Sequence, residues 1–354
     1  MKIKEIHIEI ADLGTTRPYS IAYQTIEKVE NVFVRLELDN GTVGYGAANP
    51  SRLVVGEDVQ DCYMNLRNEA EACLLGQDIR PFGTLLDKLE EDFFDKPGSR
   101  AALDIALHDA YAKQLEVPLA GLFGQKISSM PTSITIGIKS AEETLREADE
   151  YFAMGFRYLK VKLGKDVAED LEKLFKLRER FKNSIHIRVD ANQGYTGNEF
   201  LDFFEKARPL NLELVEQPLM AKDLDPIACL PEEVRKVIAA DESLISCADA
   251  THLVSKKACG IFNLKLMKNG GIAEARKIAT IAQGFGIELM WGCNDESVIS
   301  IAAALHTAFS CRNTRYLDLD GSFDLARDVA RGGFFVENGI MRLAAGPGLG
   351  IEPL

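Results

Sequence analysis

The pattern of apolar and polar residues changes character near residue 125. Before that point, residues 31–48 alternate apolar and polar side chains on both sides of a turn at 39–41, which predicts a β-hairpin. Apolar residues then recur at helical spacing from about Val59 to Leu75 and from about Ser99 to Leu115. The pattern therefore predicts an antiparallel sheet followed by helices in this first part of the chain.

From Pro131 onwards, short apolar runs alternate with amphipathic helical stretches. The eight runs are rich in Val, Ile and Leu, and their C-terminal ends are polar or charged: SITIGI, YLKVKLG, IHIRVDAN, LELVEQP, VIAADES, IFNLKL, IELMWG and RYLDLD. Eight strands separated by helices predict a parallel (β/α) barrel rather than an open doubly wound sheet. No tight G-x-G-x-x-G sequence opens a helix, so a dinucleotide-binding fold has no support.

Charged side chains stand at the C-terminal ends of these runs, where a barrel of this kind places its active site. In chain order they are Lys160, Lys162, Asp190, Glu216, Asp241, Lys265, Asp318 and Asp320. A single charge at a strand end is usually a solvated surface group. Charges at five consecutive strand ends, from Lys162 to Lys265, instead predict one common site.

Three of these residues, Asp190, Glu216 and Asp241, would converge from consecutive strands and repel one another unless a cation lay between them. Ligation by carboxylates alone favours Mg²⁺, with Mn²⁺ as a substitute, over zinc, which prefers His and Cys. None of the five histidines lies at a strand end. The sequence therefore predicts that these three carboxylates bind one Mg²⁺ in each subunit.

Such a metal would bind a substrate carboxylate and stabilise the negative charge that forms when the proton on the adjacent carbon leaves. Lys162 and Lys265 flank the metal strands, so one could take a proton from one face while the other returns it to the opposite face. This is the geometry of a racemase or epimerase, and the metal is expected to lower the lysine pKa towards neutrality. Lys160 shares a strand face with Lys162 and is predicted to bind the substrate carboxylate.

Composition excludes several other functions. The net charge of -13 argues against nucleic acid as a partner, because binding a phosphate backbone needs a basic surface. The seven cysteines form no CxxC pair, so reduced cytoplasmic thiols are expected rather than disulfides or a zinc site. The first ten residues predict a strand rather than a signal peptide, and no apolar run reaches the roughly 18 residues that span a membrane.

Five motifs give the chain a specific resemblance: KVK (160–162), RVDANQG (188–194), LVEQPL (214–219), ADES (240–243) and LKLMKNGG (264–271). In this order and spacing they resemble the muconate lactonising subgroup of the enolase superfamily, along nearly the whole chain. The resemblance implies a modified TIM barrel, (β/α)7β, at 126–325. It also implies an α+β capping domain at 1–125 and a C-terminal segment, 326–354, that returns to the capping domain.

Within that subgroup, YLDLDG looks most like the dipeptide epimerases, whose Asp-x-Asp pair binds the free ammonium of the dipeptide. Without the resemblance, Asp318 and Asp320 fit a helix cap or surface charges equally well. The implied activity is epimerisation by 1,1-proton transfer at the α-carbon of the C-terminal residue. An N-acylamino acid racemase or a muconate-type cycloisomerase is the alternative within the subgroup. An acid-sugar dehydratase normally has a histidine where this chain has Lys265, and a non-enzymatic scaffold would leave the full set of charges unexplained.

Two loops of the capping domain, about 15–26 and 49–58, are implied to select the side chains of a small dipeptide substrate. Relatives that epimerise L-Ala-D/L-Glu look to have an arginine where this chain has Gln24. Small or apolar dipeptides, such as Ala-Ala or Ala-Val, are therefore expected over Ala-Glu. Two residues favour other choices, since Arg52 could pair with a glutamate and Asp295 with a basic side chain. The sequence leaves the oligomeric state open and is compatible with a homo-oligomer.

Overall fold

The N-terminal part of the chain is an antiparallel sheet with helices packed on it, as its sequence pattern predicts. The computed structural model describes residues 1–16, 19–21, 24–26, 28–164 and 166–354, with the side chains of 19–21 and 24–26 left out. The strands are β1 (Ile3–Asp12), β2 (Tyr19–Ile21), β3 (Gln24–Ile26), β4 (Glu30–Leu38) and β5 (Val43–Ala48). β4 pairs with both β1 and β5, and β2 pairs with β3 as a separate hairpin. The predicted hairpin around 39–41 is confirmed, since Glu37 pairs with Val43.

Five helices follow this sheet, and the two long helices predicted from the sequence are among them. They are α1 (Arg52–Val55), α2 (Val59–Leu74), α3 (Phe82–Asp92), α4 (Pro97–Gln114) and α5 (Leu119–Phe123). α2 begins where it does because Asp58 and Asp61 form a reciprocal capping box that satisfies the first free N–H groups. α4 is rich in alanine and is buried along most of its length.

The second part of the chain is the predicted parallel barrel. β6 (Met130–Pro131) precedes the barrel and lies outside its sheet. The barrel strands are β7 (Ile134–Ile136), β8 (Tyr158–Lys162), β9 (His186–Asp190), β10 (Val215–Glu216), β11 (Ile238–Ala240), β12 (Ile261–Leu264), β13 (Glu288–Trp291) and β14 (Thr314–Leu317). The eight strands β7 to β14 form one sheet in sequential order, and every neighbouring pair is parallel. A bridge between Thr132 and Leu317 and a bond from Ser133 N to Leu317 O join β14 back to the start of β7, which closes the barrel.

Helices connect these strands on the outside. They are α6 (Ala141–Ala153), α7 (Val167–Phe181), α8 (Gly197–Ala207), α9 (Asp225–Ala228), α10 (Glu232–Arg235), α11 (Cys247–Lys256), α12 (Leu266–Asn269), α13 (Ile272–Gly284) and α14 (Val298–Ser310). Short 3₁₀ turns follow α7 and α8, at Lys182–Ser184 and Arg208–Leu210. Across the described residues, none of the helices combines the length and apolarity that crossing a membrane requires.

The C-terminal segment forms β15 (Ala330–Gly332), β16 (Phe334–Glu337), β17 (Ile340–Leu343) and β18 (Ile351–Pro353). β17 pairs with β6, and β15 pairs with β18. Beyond β17, the chain reaches the capping helices, where Gly348 O accepts from Leu119 N and the Asp109 carboxylate accepts from Leu349 N at 2.9 Å. The C-terminal segment therefore contacts both the capping part and the barrel. The domain boundaries at 125 and 325 stay predictions.

The contact between β5 and α4 depends on two glycines. A Cβ added at Gly46 would lie 1.9 Å from the carbonyl oxygen of Ala102, and one at Gly44 would lie 2.2 Å from that of Ala106. These obstacles are backbone atoms, which cannot move aside as a flexible side chain can. The glycines thus let α4 lie directly against the sheet, and this fixes the position of the helix.

Substituting Gly46→Ala should destabilise the protein by roughly 1–3 kcal/mol, since the methyl group overpacks a seam of backbone atoms. Urea unfolding followed by circular dichroism measures the loss. Gly83→Ala in α3 is the matched control, because no atom lies within 4 Å of the added Cβ. Alanine is also the better helix former, so the control should keep or raise stability. Equal stability of the two variants would contradict the close packing at Gly46.

Candidate active site

The structure brings the charged strand ends together in the mouth of the barrel. The register of the parallel strands places Lys162 beside Asp190 and Asp190 beside Glu216. Asp241 directly follows β11, and Lys265 directly follows β12. All three carboxylates are buried, which follows from their position at the inner ends of consecutive strands.

Two lysines bind the outer members of this carboxylate row from opposite sides. Lys162 Nζ donates to Asp190 Oδ2 at 2.6 Å and to Asn192 Oδ1 at 3.1 Å. Lys265 Nζ donates to Asp241 Oδ2 at 2.7 Å and lies 3.8 Å from Glu216 Oε1. The two ammonium groups therefore flank Asp190, Glu216 and Asp241, one on each side.

Lys160 occupies a different place from Lys162, although the two share a strand. Its ammonium is buried, donates to Asp318 Oδ2, and lies 3.4 Å from Glu216 Oε2 and 3.9 Å from Asp190 Oδ2. Asp318 also accepts from Ser133 Oγ at 2.7 Å. Burial alone would raise the pKa of Asp318, but Lys160 outweighs burial and holds the pKa below its usual value. Lys160 and Asp318 thus form a buried ion pair across the closing seam of the barrel.

Asp320 differs from Asp318 in its surroundings. Its Oδ2 accepts from the backbone N–H of Thr135 at 2.6 Å, and Cys293 Sγ lies 4.0 Å from its Oδ1. Burial, and then the negative charge of Asp318, raise the pKa of Asp320 to about 7. Of the two aspartates, only Asp320 is partly exposed at the mouth.

The three carboxylates offer oxygen donors alone, which is the chemistry that a hard divalent cation such as Mg²⁺ requires. Glu216 Oε2 is buried and accepts no hydrogen bond in the described part of the chain. Burial and the neighbouring Asp190 raise the pKa of Glu216 to about 8, so its negative charge is incompletely compensated. Among the described residues, no three His, Cys, Asp or Glu side chains are arranged as the ligands of a metal ion. The Oδ2 atoms of Asp190 and Asp241 instead accept hydrogen bonds from lysines. The donor set and the unbonded oxygen nevertheless fit a divalent cation.

The carboxylates alone raise the pKa of Lys265, and the lowering expected from a bound metal stays a prediction. Burial lowers the pKa of Lys265, but the carboxylates of Asp241 and Glu216 outweigh burial and raise it above its ordinary value. The pKa of Lys160 is likewise raised, by Asp318 and Glu216 against the effect of burial. The physical reason is that the lysines face the carboxylates directly.

The residues expected to select substrate have different surroundings. The side chain of Gln24 lies outside the described residues. Asp295 is partly exposed, and its backbone oxygen accepts from Asn31 Nδ2 at 3.1 Å and from Asn49 Nδ2 at 2.6 Å. Arg52 instead binds Asp58 Oδ2 at 2.6 Å and Asp61 Oδ2 at 2.5 Å, which commits its charge to the start of α2.

Sequence reasoning did not single out Lys268, although it belongs to the motif LKLMKNGG. Its ammonium is buried and donates to Asp241 Oδ1 at 2.8 Å, Asp241 O at 2.6 Å and Asn263 O at 2.9 Å. Asp241 is therefore bound by two lysines, one at each carboxylate oxygen. A lysine three residues after Lys265 was the available signal, but a charge inside a short helix resembles an ordinary surface group.

Comparisons with known proteins agree with this geometry. Residues 5–124 match the family model described as the N-terminal domain of mandelate racemase / muconate lactonizing enzyme, and residues 143–354 match the model described as enolase C-terminal domain-like. The chain is 52% identical to the L-Lys-D/L-Arg epimerase of Desulforapulum autotrophicum and 50% identical to that of Methylococcus capsulatus, with 99% of each chain covered in both cases.

A crystal structure gives the same relationship in three dimensions. The dipeptide epimerase from Methylococcus capsulatus, complexed with Mg and the dipeptide L-Arg-D-Lys, superposes with a TM-score of 0.97 at 50% identity over 99% of both chains. The matches extend over the capping sheet, the barrel and the C-terminal segment. The chain therefore belongs to the dipeptide epimerase family of the enolase superfamily.

Proposed function

We propose that this protein is an Mg²⁺-dependent dipeptide epimerase that inverts the α-carbon of the C-terminal residue. The single observation that carries this proposal is the placement of Lys162 and Lys265 on opposite sides of the three carboxylates. A substrate carboxylate centred on that row would present its α-carbon to both ammonium groups. Epimerisation needs this two-sided access, because the proton leaves one face and arrives at the other.

In the proposed reaction, one lysine enters neutral and the other enters protonated. The neutral lysine takes the α-proton, the protonated lysine delivers its proton to the opposite face, and the two protonation states are exchanged. When bound by Asp190, Glu216 and Asp241, Mg²⁺, or Mn²⁺ in its place, supplies a Lewis acid that stabilises negative charge on the substrate carboxylate. The same positive charge would counter the carboxylates that raise the pKa of Lys265.

The ammonium of the dipeptide is assigned to Asp320, with Asp318 behind it. Asp320 is partly exposed and would contact the ammonium directly. Asp318 binds Lys160, so its negative charge would act on the ammonium only from a distance. Lys160 is then a counter-charge for the carboxylates as well as the predicted contact for the substrate carboxylate. An N-acylamino acid racemase or a cycloisomerase would leave Asp320 without a role, since neither substrate carries an ammonium.

For the substrate side chains we favour basic residues. Arg52 is committed to Asp58 and Asp61, so this arginine gives no support for binding a glutamate side chain. Asp295, whose carboxylate would bind the charged end of such a side chain, follows β13 at the mouth. The two relatives named above as L-Lys-D/L-Arg epimerases support the same choice.

A cavity beside Lys265 suits the aliphatic part of such a side chain. Its apolar wall is formed by Val54, Val55 and Met267, and the rest of its lining is polar or charged: Ser51, Asp241, Lys265, Lys268 and Asn294. Lysine and arginine need an apolar wall for the methylene stem and an acid for the charged end. The apolar preference that Gln24 suggests stays a prediction, and it would use the same wall.

Alanine substitution of Lys162 or of Lys265 should abolish epimerisation, because one face of the α-carbon then has no lysine to take or deliver a proton. Each variant should still exchange the α-proton of one epimer with solvent deuterium, since the remaining lysine acts alone on its own face. Proton NMR in D₂O measures this exchange in L-Lys-L-Arg and L-Lys-D-Arg. Lys206→Ala, on the exposed face of α8, is the control and should behave as wild type.

The same assay tests the metal. Exchange should stop in excess chelator and return with added Mg²⁺. Epimerisation at the wild-type rate by Lys265→Ala would rule out the two-base mechanism, and full activity in chelator would rule out the metal.

The pKa of about 7 at Asp320 predicts a pH effect on binding. This carboxyl is neutral below its pKa and can pair with the substrate ammonium only above it, so KM for a free dipeptide should fall between about pH 6 and about pH 7.5. Above that range the substrate ammonium begins to lose its own proton. Asp320→Asn should flatten the profile and lower kcat/KM by about one to two decades, from the loss of a charged hydrogen bond of about 1.5–3 kcal/mol.

An N-acetylated dipeptide is the control for this variant, because it carries no ammonium. Its kcat/KM should change little on Asp320→Asn. Equal losses for the free and the acetylated substrate would mean that Asp320 is structural.

Substrate choice is tested by comparing kcat/KM for L-Lys-L-Arg, L-Ala-L-Ala and L-Ala-L-Glu. We expect at least a tenfold advantage for L-Lys-L-Arg, and we expect Asp295→Asn to reduce that advantage while sparing L-Ala-L-Ala. A higher value for L-Ala-L-Ala would favour the apolar prediction instead. A higher value for L-Ala-L-Glu would contradict both.

A further inference from the structure

The turn that follows Lys265 is held by a helix of the capping domain. Arg100, on α4, donates from Nη2 to Asn269 O at 3.1 Å and from Nε to Gly270 O at 3.2 Å. One turn further along α4, the Asp104 carboxylate accepts from Ile272 N at 2.5 Å and from Ala273 N at 3.3 Å. These two side chains bind both ends of the short link between α12 and α13.

The glycines of the link make this contact close. Gly270 and Gly271 have φ values of +81° and +105°, in the region that favours glycine. A Cβ at Gly270 would lie 2.1 Å from the Arg100 guanidinium, and one at Gly271 would lie 2.6 Å from the Asp104 carboxylate. The two glycines of the Asn-Gly-Gly sequence at 269–271 therefore allow the link to pack closely against α4.

Asn269 connects the link to Lys265. Its side-chain Oδ1 accepts from the backbone N–H of Lys265 at 3.1 Å, and its Nδ2 donates to Leu244 O at 3.1 Å and to Ile245 O at 2.9 Å. Asn269 is fully buried, as Asp104 very nearly is. A continuous set of bonds therefore runs from α4 through the link to the backbone of Lys265.

Lys162 is supported differently. Its neighbours in the hydrogen-bond network are Asp190 and Asn192, on β9 and the turn after it, which belong to the barrel itself. The capping helix α4 is thus connected through hydrogen bonds to the backbone of Lys265, one of the two lysines. Any displacement of the link should move Lys265 relative to the substrate and leave Lys162 where it is.

We propose that Arg100 and Asn269 are positioning residues for Lys265, so that the capping domain helps to align one of the two bases. This rests on the proposed function, because it assumes that each lysine serves one face of the α-carbon. The loss of alignment should slow proton transfer at the Lys265 face about ten- to a hundredfold, since a displacement of about 1 Å can cost that much. Exchange at the Lys162 face should stay within about twofold of wild type.

The test measures the initial rate of deuterium incorporation into L-Lys-L-Arg and into L-Lys-D-Arg, with Mg²⁺ present. Lys162→Ala and Lys265→Ala first identify which epimer each lysine serves. Arg100→Met keeps most of the side-chain stem but removes the donors, and it should lower exchange for the Lys265 epimer alone. A merely structural role would lower both rates equally.

Lys113→Met is the matched control. Lys113 also lies on α4 and binds the buried Asp109 at 2.7 Å, but it does not bond to the link at 269–273. Its loss should affect both epimers to the same degree. If Arg100→Met does not fold, Arg100→Lys can replace it, because lysine keeps the charge without the paired donors. This variant should also slow exchange of the Lys265 epimer more than that of the Lys162 epimer, by a smaller factor.

Two results can be told apart. If the lysine variants show no preference for opposite epimers, the two-base function fails and this inference fails with it. If they do show it, and the folded Arg100 variant slows both epimers equally or slows neither, the function stands and the role of Arg100 is overturned.

Discussion

Ion pairing between lysines and carboxylates holds the barrel mouth together. Burial raises the pKa of Glu216 and of Glu296 to about 8, with Asp190 adding to the rise at Glu216, which shows how strongly this environment opposes negative charge. Asp241 lies in the same environment, yet Lys265 and Lys268 outweigh burial and hold its pKa well below the usual value. Asp241, whose two carboxylate oxygens each accept a hydrogen bond from a lysine, thus keeps its charge in this environment. This pairing sets the positions of the strand ends, and the proposed chemistry relies on those positions.

The barrel could be predicted because parallel strands repeat a local pattern and their C-terminal ends must meet at one edge. The order of Lys162, Asp190, Glu216, Asp241 and Lys265 follows from that rule alone. The pairing of Lys160 with Asp318 could not be predicted from spacing, because 158 residues separate them and they meet only where the barrel closes. The raised pKa of Lys265 depends on distances to carboxylates that a sequence does not contain.

The residues proposed for specificity and those proposed for chemistry occupy different parts of the molecule. The proposed bases and metal ligands lie at strand ends in a closed sheet, where neighbouring strands fix them on both sides. The residues proposed to face the substrate side chains, such as Val54 in the four-residue helix α1 and Asp295 in the loop after β13, lie in the connections between larger elements. Loops tolerate substitution far better than packed strands do. One set of strand ends can therefore serve dipeptides of different side chains.

The contact between Leu349 and Asp109 has a consequence for the order in which the protein matures during synthesis. Asp109 lies on α4 and accepts from Tyr45 N, from Lys113 Nζ and from Leu349 N. The third donor is made 240 residues after Asp109, so α4 emerges from the ribosome long before one of its partners exists. The capping sheet can form early, but α4 is complete only when the chain returns to it. An enzyme truncated before Leu349 would therefore have its whole barrel and every charged strand end, and would still lack a partner for the helix against which the Lys265 turn is packed.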